Sequence, residues 1–262
     1  MQERHKNRKI YFEEQSYTTE KYVIPYIEPV HRVDGSISLL EVGCGEGGNI
    51  KPFLDRGCRC MGVDLNEGQI ENGKRFFAEH PHRDRLTLTY SDIYDIEPGP
   101  EMQFDIIMLR DVIEHIHDQE RFMAFIRRFL RPEGGIIFFA FPPWLMPFGG
   151  HQQICESRLA KTPWIHLLPC RAYASLLRHC GESEGRIADL LEIKETGITL
   201  ERFERAVRQN GYRILRKTHY FINPNYEIKF HLRPRTVLPV LRSIPYLRDF
   251  YTTAGYYVVA AK

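Results

Sequence analysis

The sequence predicts a doubly wound α/β fold with a mostly parallel, seven-stranded sheet, on three observations. Short apolar runs alternate with amphipathic stretches from residue 37 to residue 141, the pattern of strands whose crossover helices cover both faces of a sheet. The first run, 37–42, leads straight into Gly43-Cys44-Gly45-Glu46-Gly47-Gly48. The second ends on an acid, Asp64, at the carboxyl edge where folds of this kind bind ligands.

Taken in order, residues 16–32 read as an N-terminal helix and Asp34-Gly35 as the turn that ends it. Strand one is the buried run 37–42. After the glycine turn come a short helix near 50–56, strand two at 59–64 and a helix over 67–80. Residues 86–91 alternate as strand three, and 104–109 form a fourth buried run. Phe122, Phe125, Ile126 and Phe129 fall at i, i+3, i+4 and i+7 and so line one helix face. Arg131-Pro132-Glu133-Gly134-Gly135 stops that helix and turns the chain into strand five, 136–141. The alternation then lapses in a stretch holding both tryptophans and paired glycines, which reads as a helical and loop cap inserted after strand five. Thr199 caps a helix bearing Leu200, Phe203 and Val207, Asn210-Gly211 ends it, and 212–215 and 255–260 supply strands six and seven. Pro224, Pro234, Pro239 and Pro245 limit the stretch 221–252 to two or three short helical pieces. The chain divides as one domain over 1–262: an N-terminal helical segment (1–35), a ligand-binding core (36–141), the cap (142–198), and C-terminal core elements with an irregular basic connection (199–262).

Hydrophobic residues make up 43% of the chain and charged ones 27%, which supports a packed core and excludes a disordered chain. No apolar stretch follows the N-terminus, and the most apolar run, 136–148, is interrupted by Pro142, Pro143 and Pro147, so neither a signal peptide nor a membrane span is expected. The six cysteines form no Cys-x-x-Cys pair, which fits free thiols in a reducing cytoplasm and no structural zinc. The net charge of +2 is uneven: residues 201–250 carry eleven Lys and Arg against four Asp and Glu, a local balance of +7. That imbalance suits either an anionic partner or a solvated helical face. Within it, apolar residues alternate with arginines over 233–248, a pattern compatible with peripheral membrane contact.

Gly43, Gly45 and Gly48 also satisfy the Gly-x-Gly-x-x-Gly dinucleotide fingerprint. Glu41 separates the ligands such a turn could hold. A carboxylate two residues before the first glycine repels a pyrophosphate but attracts the ammonium end of a methionine moiety. S-adenosylmethionine carries cations at that end, where a nicotinamide dinucleotide carries anions. Asp64, 21 residues after Gly43, is placed to hydrogen-bond a ribose diol.

At these residues the chain resembles class I S-adenosylmethionine-dependent methyltransferases, whose first motif has the form acid-x-Gly-x-Gly-x-Gly, here Glu41, Gly43, Gly45 and Gly47. The resemblance spans roughly 36–141 and the strand at 212–220, and the cap lies outside it. It is strongest to the quinone-biosynthesis-like branch, through Leu39-Leu40-Glu41-Val42-Gly43-Cys44-Gly45 and Asp111-Val112-Ile113-Glu114-His115. It implies a Rossmann-like sheet with S-adenosylmethionine as cofactor. Glu41, Gly43 and Gly45 would then contact the methionine end, Asp64 the ribose, and Leu65 the adenine. Asp92 would bind the adenine amino group beside Ile93, and Arg110 would offer its backbone carbonyl to the ammonium. For Asp92 a helix N-cap, and for Leu65 and Ile93 plain packing, remain open alternatives.

The resemblance implies methyl transfer, most simply to an oxygen of a small molecule, glycan or lipid-linked intermediate. For a hydroxyl acceptor a histidine is the natural general base. His115 falls in the first turn after strand four, and His151 lies in the cap, so these two are the catalytic candidates. His166, also in the cap, reads as structural. Phe141-Pro142-Pro143-Trp144 lacks the leading amide or acid of amino-methylating loops and follows the wrong strand. Two other functions stay open: RNA methylation through the basic residues of 201–250, although nucleic acid is not the expected partner, and cofactor binding without catalysis. Asp111, Glu114 and His115 are spaced i, i+3 and i+4, so a helix starting at Asp111 would put them on one face, with His151 as a fourth ligand. This is similar to metal-dependent small-RNA terminal 2′-O-methyltransferases. Asp111 is shorter by a methylene than the glutamate those enzymes place there, and the site is expected to work without metal.

Overall fold

The structure is a computed structural model that describes residues 7–262; the first six residues of the expected N-terminal segment lie outside it. Five strands, β1 (Ser38–Val42), β2 (Arg59–Asp64), β3 (Leu86–Tyr90), β4 (Ile106–Arg110) and β5 (Ile136–Phe141), precede three more: β6 (Tyr212–Ile222), β7 (Arg235–Thr236) and β8 (Ala254–Ala261). They form one sheet in the order β3-β2-β1-β4-β5-β8-β6-β7. The first five pair in parallel, β8 is antiparallel to β5, and β6 is antiparallel to β8. The strand order reverses at β1 and β4, so their carboxyl ends open the crevice in which such folds bind ligands.

Side-chain alternation explains the layers. Leu39, Ile106, Met108, Ile136 and Phe138 face one core, with Phe12, Ile24, Phe53 and Ile70 packed on them. Leu40, Ile107, Leu109, Ile137 and Phe139 face the other, under Phe122, Ile126, Phe203 and Val207. Successive residues therefore serve opposite faces, and β1, β4 and β5 are buried at every position. The helices are α1 (Arg8–Thr18), which passes through a π turn (Thr19–Val23) into α2 (Ile24–Ile27), then α3 (Lys51–Asp55), α4 (Glu67–Phe76) and α5 (Gln119–Ile126). Between β5 and α8 (Leu200–Gln209) come α6 (Cys170–His179) and α7 (Glu184–Thr196). Tyr173, Leu177, Ile187 and Leu190 give this inserted region its own small core. The short helices α9 (Asn225–Phe230), α10 (Pro239–Arg242) and α11 (Leu247–Phe250) complete the chain.

Three elements differ from expectation. The N-terminal helix starts at Arg8, where Asn7 accepts a hydrogen bond from the Ile10 amide at 3.3 Å, and not near residue 16. Its first turns are mostly polar, with Phe12 and Glu14 buried among them, so no apolar stripe announces them. Strand six runs to Ile222 because a bulge between Ile214 and Arg216 inverts the alternation that would have marked its continuation. The eighth strand, β7, is two residues long and pairs with the end of β6.

Candidate active site

The floor of the crevice is the carboxyl end of β1. Glu41 is fully buried there, between Gly62 of β2 and Met108 of β4. One of its oxygens accepts a hydrogen bond from Asn49 Nδ2 at 2.7 Å, and the other, Oε2, is buried without a partner. Burial pushes its carboxyl up to about 8, helped by Asp64 and opposed by Asn49 and Arg110. Asn49 Oδ1 in turn accepts from Arg110 Nη1 at 2.6 Å and from Thr19 Oγ1 at 2.9 Å. Glu41, Asn49, Arg110 and Thr19 thus form one buried polar chain. Arg110, expected to act through its backbone, also places its guanidinium in that chain. Asn49 and Thr19 escaped the sequence reading. Thr19 opens the π turn, a local distortion that often marks function.

Beyond Glu41 the chain turns on Gly43 (φ 70°) and Gly45 (φ 55°). At Gly43 a side chain is also excluded by space, since a Cβ would lie 2.4 Å from Val112 Cγ2. The amides of Gly43 and Cys44 both donate to Val63 O, at 2.8 and 3.1 Å, which stitches the turn to β2. Asp64 accepts from the Gly45 amide at 2.7 Å and from the Asn66 amide at 2.8 Å, so its carboxylate is fixed at the rim. Leu65 beside it is 69% exposed, an uncovered apolar face next to an oriented acid. Asp92 caps a 3₁₀ turn by accepting from the Tyr94 amide at 2.9 Å. Ile93 is buried in the core with Leu40, Val42 and Val63.

Helix α1 roofs the turn. A Cβ on Gly48 would lie 2.6 Å from the Phe12 carbonyl, so the helix sits directly on the glycine backbone. Arg8 reinforces it through a two-pronged ion pair with buried Glu46, whose Nη2–Oε2 arm is 2.6 Å. The same helix carries Tyr11, pushed up to about 12 by burial and by the charge of Asp111. Tyr226 of α9 is raised by the same two causes. Two tyrosines that no spacing in the sequence connects therefore feel the charge of Asp111.

On the far side of β4, the expected helix from Asp111 does not form. Asp111 takes φ 56°, a left-handed conformation, and is exposed, while Ile113–His115 make a single 3₁₀ turn. The i, i+3, i+4 face therefore dissolves, and Asp111 is not among the side chains that converge there. Glu114, His115 and His151 do converge, with their candidate ligand atoms all within 4.8 Å of one another. The two imidazoles lie 5.1 Å apart, edge to face. Burial holds His115 below the usual histidine value and His151 at about 4, the neighbouring histidine adding to the latter. Both rings are thus neutral near pH 7. Glu114 is buried, with neither oxygen hydrogen-bonded, and burial followed by Asp111 drives its carboxyl well above the usual range. His166 is fully buried against Trp144, with its Nε2 2.8 Å from the Trp144 carbonyl.

The partnerless oxygen of Glu41, the open glycine backbone, the fixed carboxylate of Asp64 and the bare face of Leu65 fit one ligand. It would carry a cation at one end, a diol in the middle and a flat apolar group at the other.

Part of the chain, and its fold, match known proteins. Residues 40–138 match a family model described as a methyltransferase domain. A probable S-adenosylmethionine-dependent methyltransferase of Mycolicibacterium smegmatis is 30% identical over 129 residues, 49% of this chain and 47% of that protein. The ubiquinone biosynthesis O-methyltransferase of Rhodopseudomonas palustris is 29% identical over 98 residues, 37% of each chain. Among solved structures, geranyl diphosphate methyltransferase with bound S-adenosylmethionine superposes over 94% of this chain and 84% of its own, at a TM-score of 0.56 and 16% identity. A [4+2]-cyclase superposes over 91% and 80%, at 0.54 and 15%. At such identities the likeness is one of fold. The chain spans about half or less of the length of these curated relatives.

Proposed function

We infer that this chain, whose residues 40–138 are a class I S-adenosylmethionine-dependent methyltransferase domain, methylates an oxygen of a small-molecule, glycan or lipid-linked acceptor. The observation that carries the oxygen is the His115–His151 pair, two neutral imidazoles in contact at the carboxyl edge of β4. Glu41, Gly43, Gly45 and Arg110 would hold the methionine end of the cofactor, Asp64 its ribose, and Leu65, Asp92 and Ile93 the adenine region. Bound there, the cofactor supplies an electrophilic methyl group on a cationic sulfur. The chain's own work is positional: α1 excludes water from the turn, and the crevice holds the acceptor in line. His115, the more exposed of the pair, takes the acceptor's hydroxyl proton on a ring nitrogen, with His151 packed against it to fix the ring.

A second reading of the same site has Glu114, His115 and His151 hold a divalent cation, and the two partnerless oxygens of buried Glu114 favour it. Such an ion would lower the pKa of the acceptor hydroxyl.

The acceptor class is tested by incubating the protein with methyl-labelled S-adenosylmethionine and a lysate split into lipid, glycan, RNA and small-molecule fractions. Label is expected in a non-RNA fraction. Label confined to RNA would replace the reading with RNA methylation, and binding without turnover would leave a non-catalytic cofactor-binding protein. Asp64→Ala is expected to weaken both S-adenosylmethionine and its demethylated product by about 1.5–3 kcal/mol in calorimetry, the worth of hydrogen bonds to a charged group. Binding of NAD with none of S-adenosylmethionine would overturn the assignment.

A further inference from the structure

We propose that residues 232–248 form a docking strap for an anionic lipid bilayer. Leu238 and Val240 are 67% and 73% exposed, and Leu232, Ile244, Tyr246 and Leu247 are exposed as well. Isolated exposed apolar residues are ordinary, but six within seventeen consecutive positions are not. The charge of the same segment has one sign. No Asp or Glu occurs between Glu227 and Asp249, while Arg233, Arg235 and Arg242 all lie exposed among the apolar side chains. Apolar anchors interleaved with cations match the interface of a bilayer bearing anionic headgroups. An RNA partner would be served by the cations but not by exposed Leu238, Val240 and Ile244.

The strap is held at its ends and bare between them. At one end β7 pairs with β6, and the Val237 amide donates to His219 O at 2.9 Å. At the other, Arg248 Nε bonds Glu201 at 2.9 Å, and buried Asp249 accepts from the Leu200 amide at 2.9 Å. Glu201 also accepts from the Tyr246 amide at 2.9 Å, in a residue held at φ 63° with its ring in solvent. A non-glycine residue held at positive φ is a strained position of the kind that clusters at functional sites. The position matters too. Leu200 packs against Gly255, which pairs with Phe141 at the carboxyl end of β5, so the strap's anchor lies at the sheet edge that carries the candidate site. Among the described residues no helix is long and apolar enough to cross a membrane, and the contact proposed is peripheral.

Co-sedimentation of the full chain with vesicles tests this, using phosphatidylcholine alone or with about a third phosphatidylserine. The protein is expected to pellet with the anionic vesicles and to be released by salt. Arg233→Gln with Arg235→Gln should weaken that binding on the order of twenty-five-fold, at about fivefold per surface cation. Leu238→Ser with Val240→Ser should weaken it as well, while S-adenosylmethionine binding by calorimetry stays unchanged in both pairs and reports an intact fold. Equal partition to neutral and anionic vesicles, or wild-type binding by the Leu238→Ser, Val240→Ser pair, would overturn the proposal. So would a vesicle-free dimer in sedimentation velocity that the same pair dissociates, since a second copy would then cover the strap. These outcomes are independent of which acceptor the enzyme methylates.

Discussion

Glu41→Gln is expected to cost about 2–5 kcal/mol of S-adenosylmethionine affinity, roughly thirtyfold to several thousandfold, because it removes one partner of a buried charge pair. The substitution keeps the shape of the side chain, which limits damage to the Asn49 and Arg110 chain beside it. A second readout separates the charge from mere packing. Burial holds the free Glu41 carboxyl up to about 8, so it is protonated at pH 7. An ammonium brought against its buried oxygen lowers that value, and binding then releases a proton. A group whose pKa falls on binding makes binding tighter as pH rises, here until about pH 8, above which the dependence flattens. Calorimetry at pH 7 in two buffers of different ionisation enthalpy should show proton release approaching one per cofactor for the wild type and none for Glu41→Gln. Equal proton release by both proteins would remove Glu41 from the cofactor's cationic end.

The largest loss of rate is expected from His115→Ala, a fall of about 10²–10⁴-fold in single-turnover methyl transfer with cofactor affinity within a few-fold of wild type. His151→Ala should fall in the same direction, and the double variant should lose little more than His115→Ala alone, as for groups that act as a unit. Additive losses would mean that the contacting rings work separately. Exhaustive chelation divides the two readings of the site. If the pair works without metal, turnover persists. If turnover is lost and restored by Mg²⁺ or Mn²⁺, and Glu114→Gln abolishes the restoration, then Glu114, His115 and His151 are cation ligands.

What was legible in the sequence was local. The five parallel strands announce themselves through short apolar runs or, at β3, through alternation, and β2 and β5 have the bounds expected of them. Glu41 and the glycine turn lie within eight residues of chain, 41–48, so their spacing carries their geometry. Legibility ends where residues meet only through packing. Thr19, Asn49 and Arg110 come from three separate elements to build one hydrogen-bonded chain, and nothing in their spacing foretells it. Asp111 shows a subtler limit. Its distance from Glu114 and His115 is right for a helix face, but the chain leaves β4 through a left-handed residue, and a spacing rule holds only inside the element it assumes. The convergence of His115 with His151 was within reach in one respect, since a segment inserted after β5 must start at the same sheet edge on which β4 ends.

The inserted region's separate core bears on how such a chain can diversify. Tyr173, Leu177, Ile187 and Leu190 pack mainly on one another and not on the two cores that flank the sheet. The region is nonetheless tied to the site, since Thr196 O accepts from buried Gln119 Nε2 at 2.7 Å and Glu192 lies 3.2 Å from His117, two residues after His115. Libraries that vary the exposed positions of 152–196 apart from Glu192, and keep buried Gln152, His166 and Thr196, would leave those ties in place.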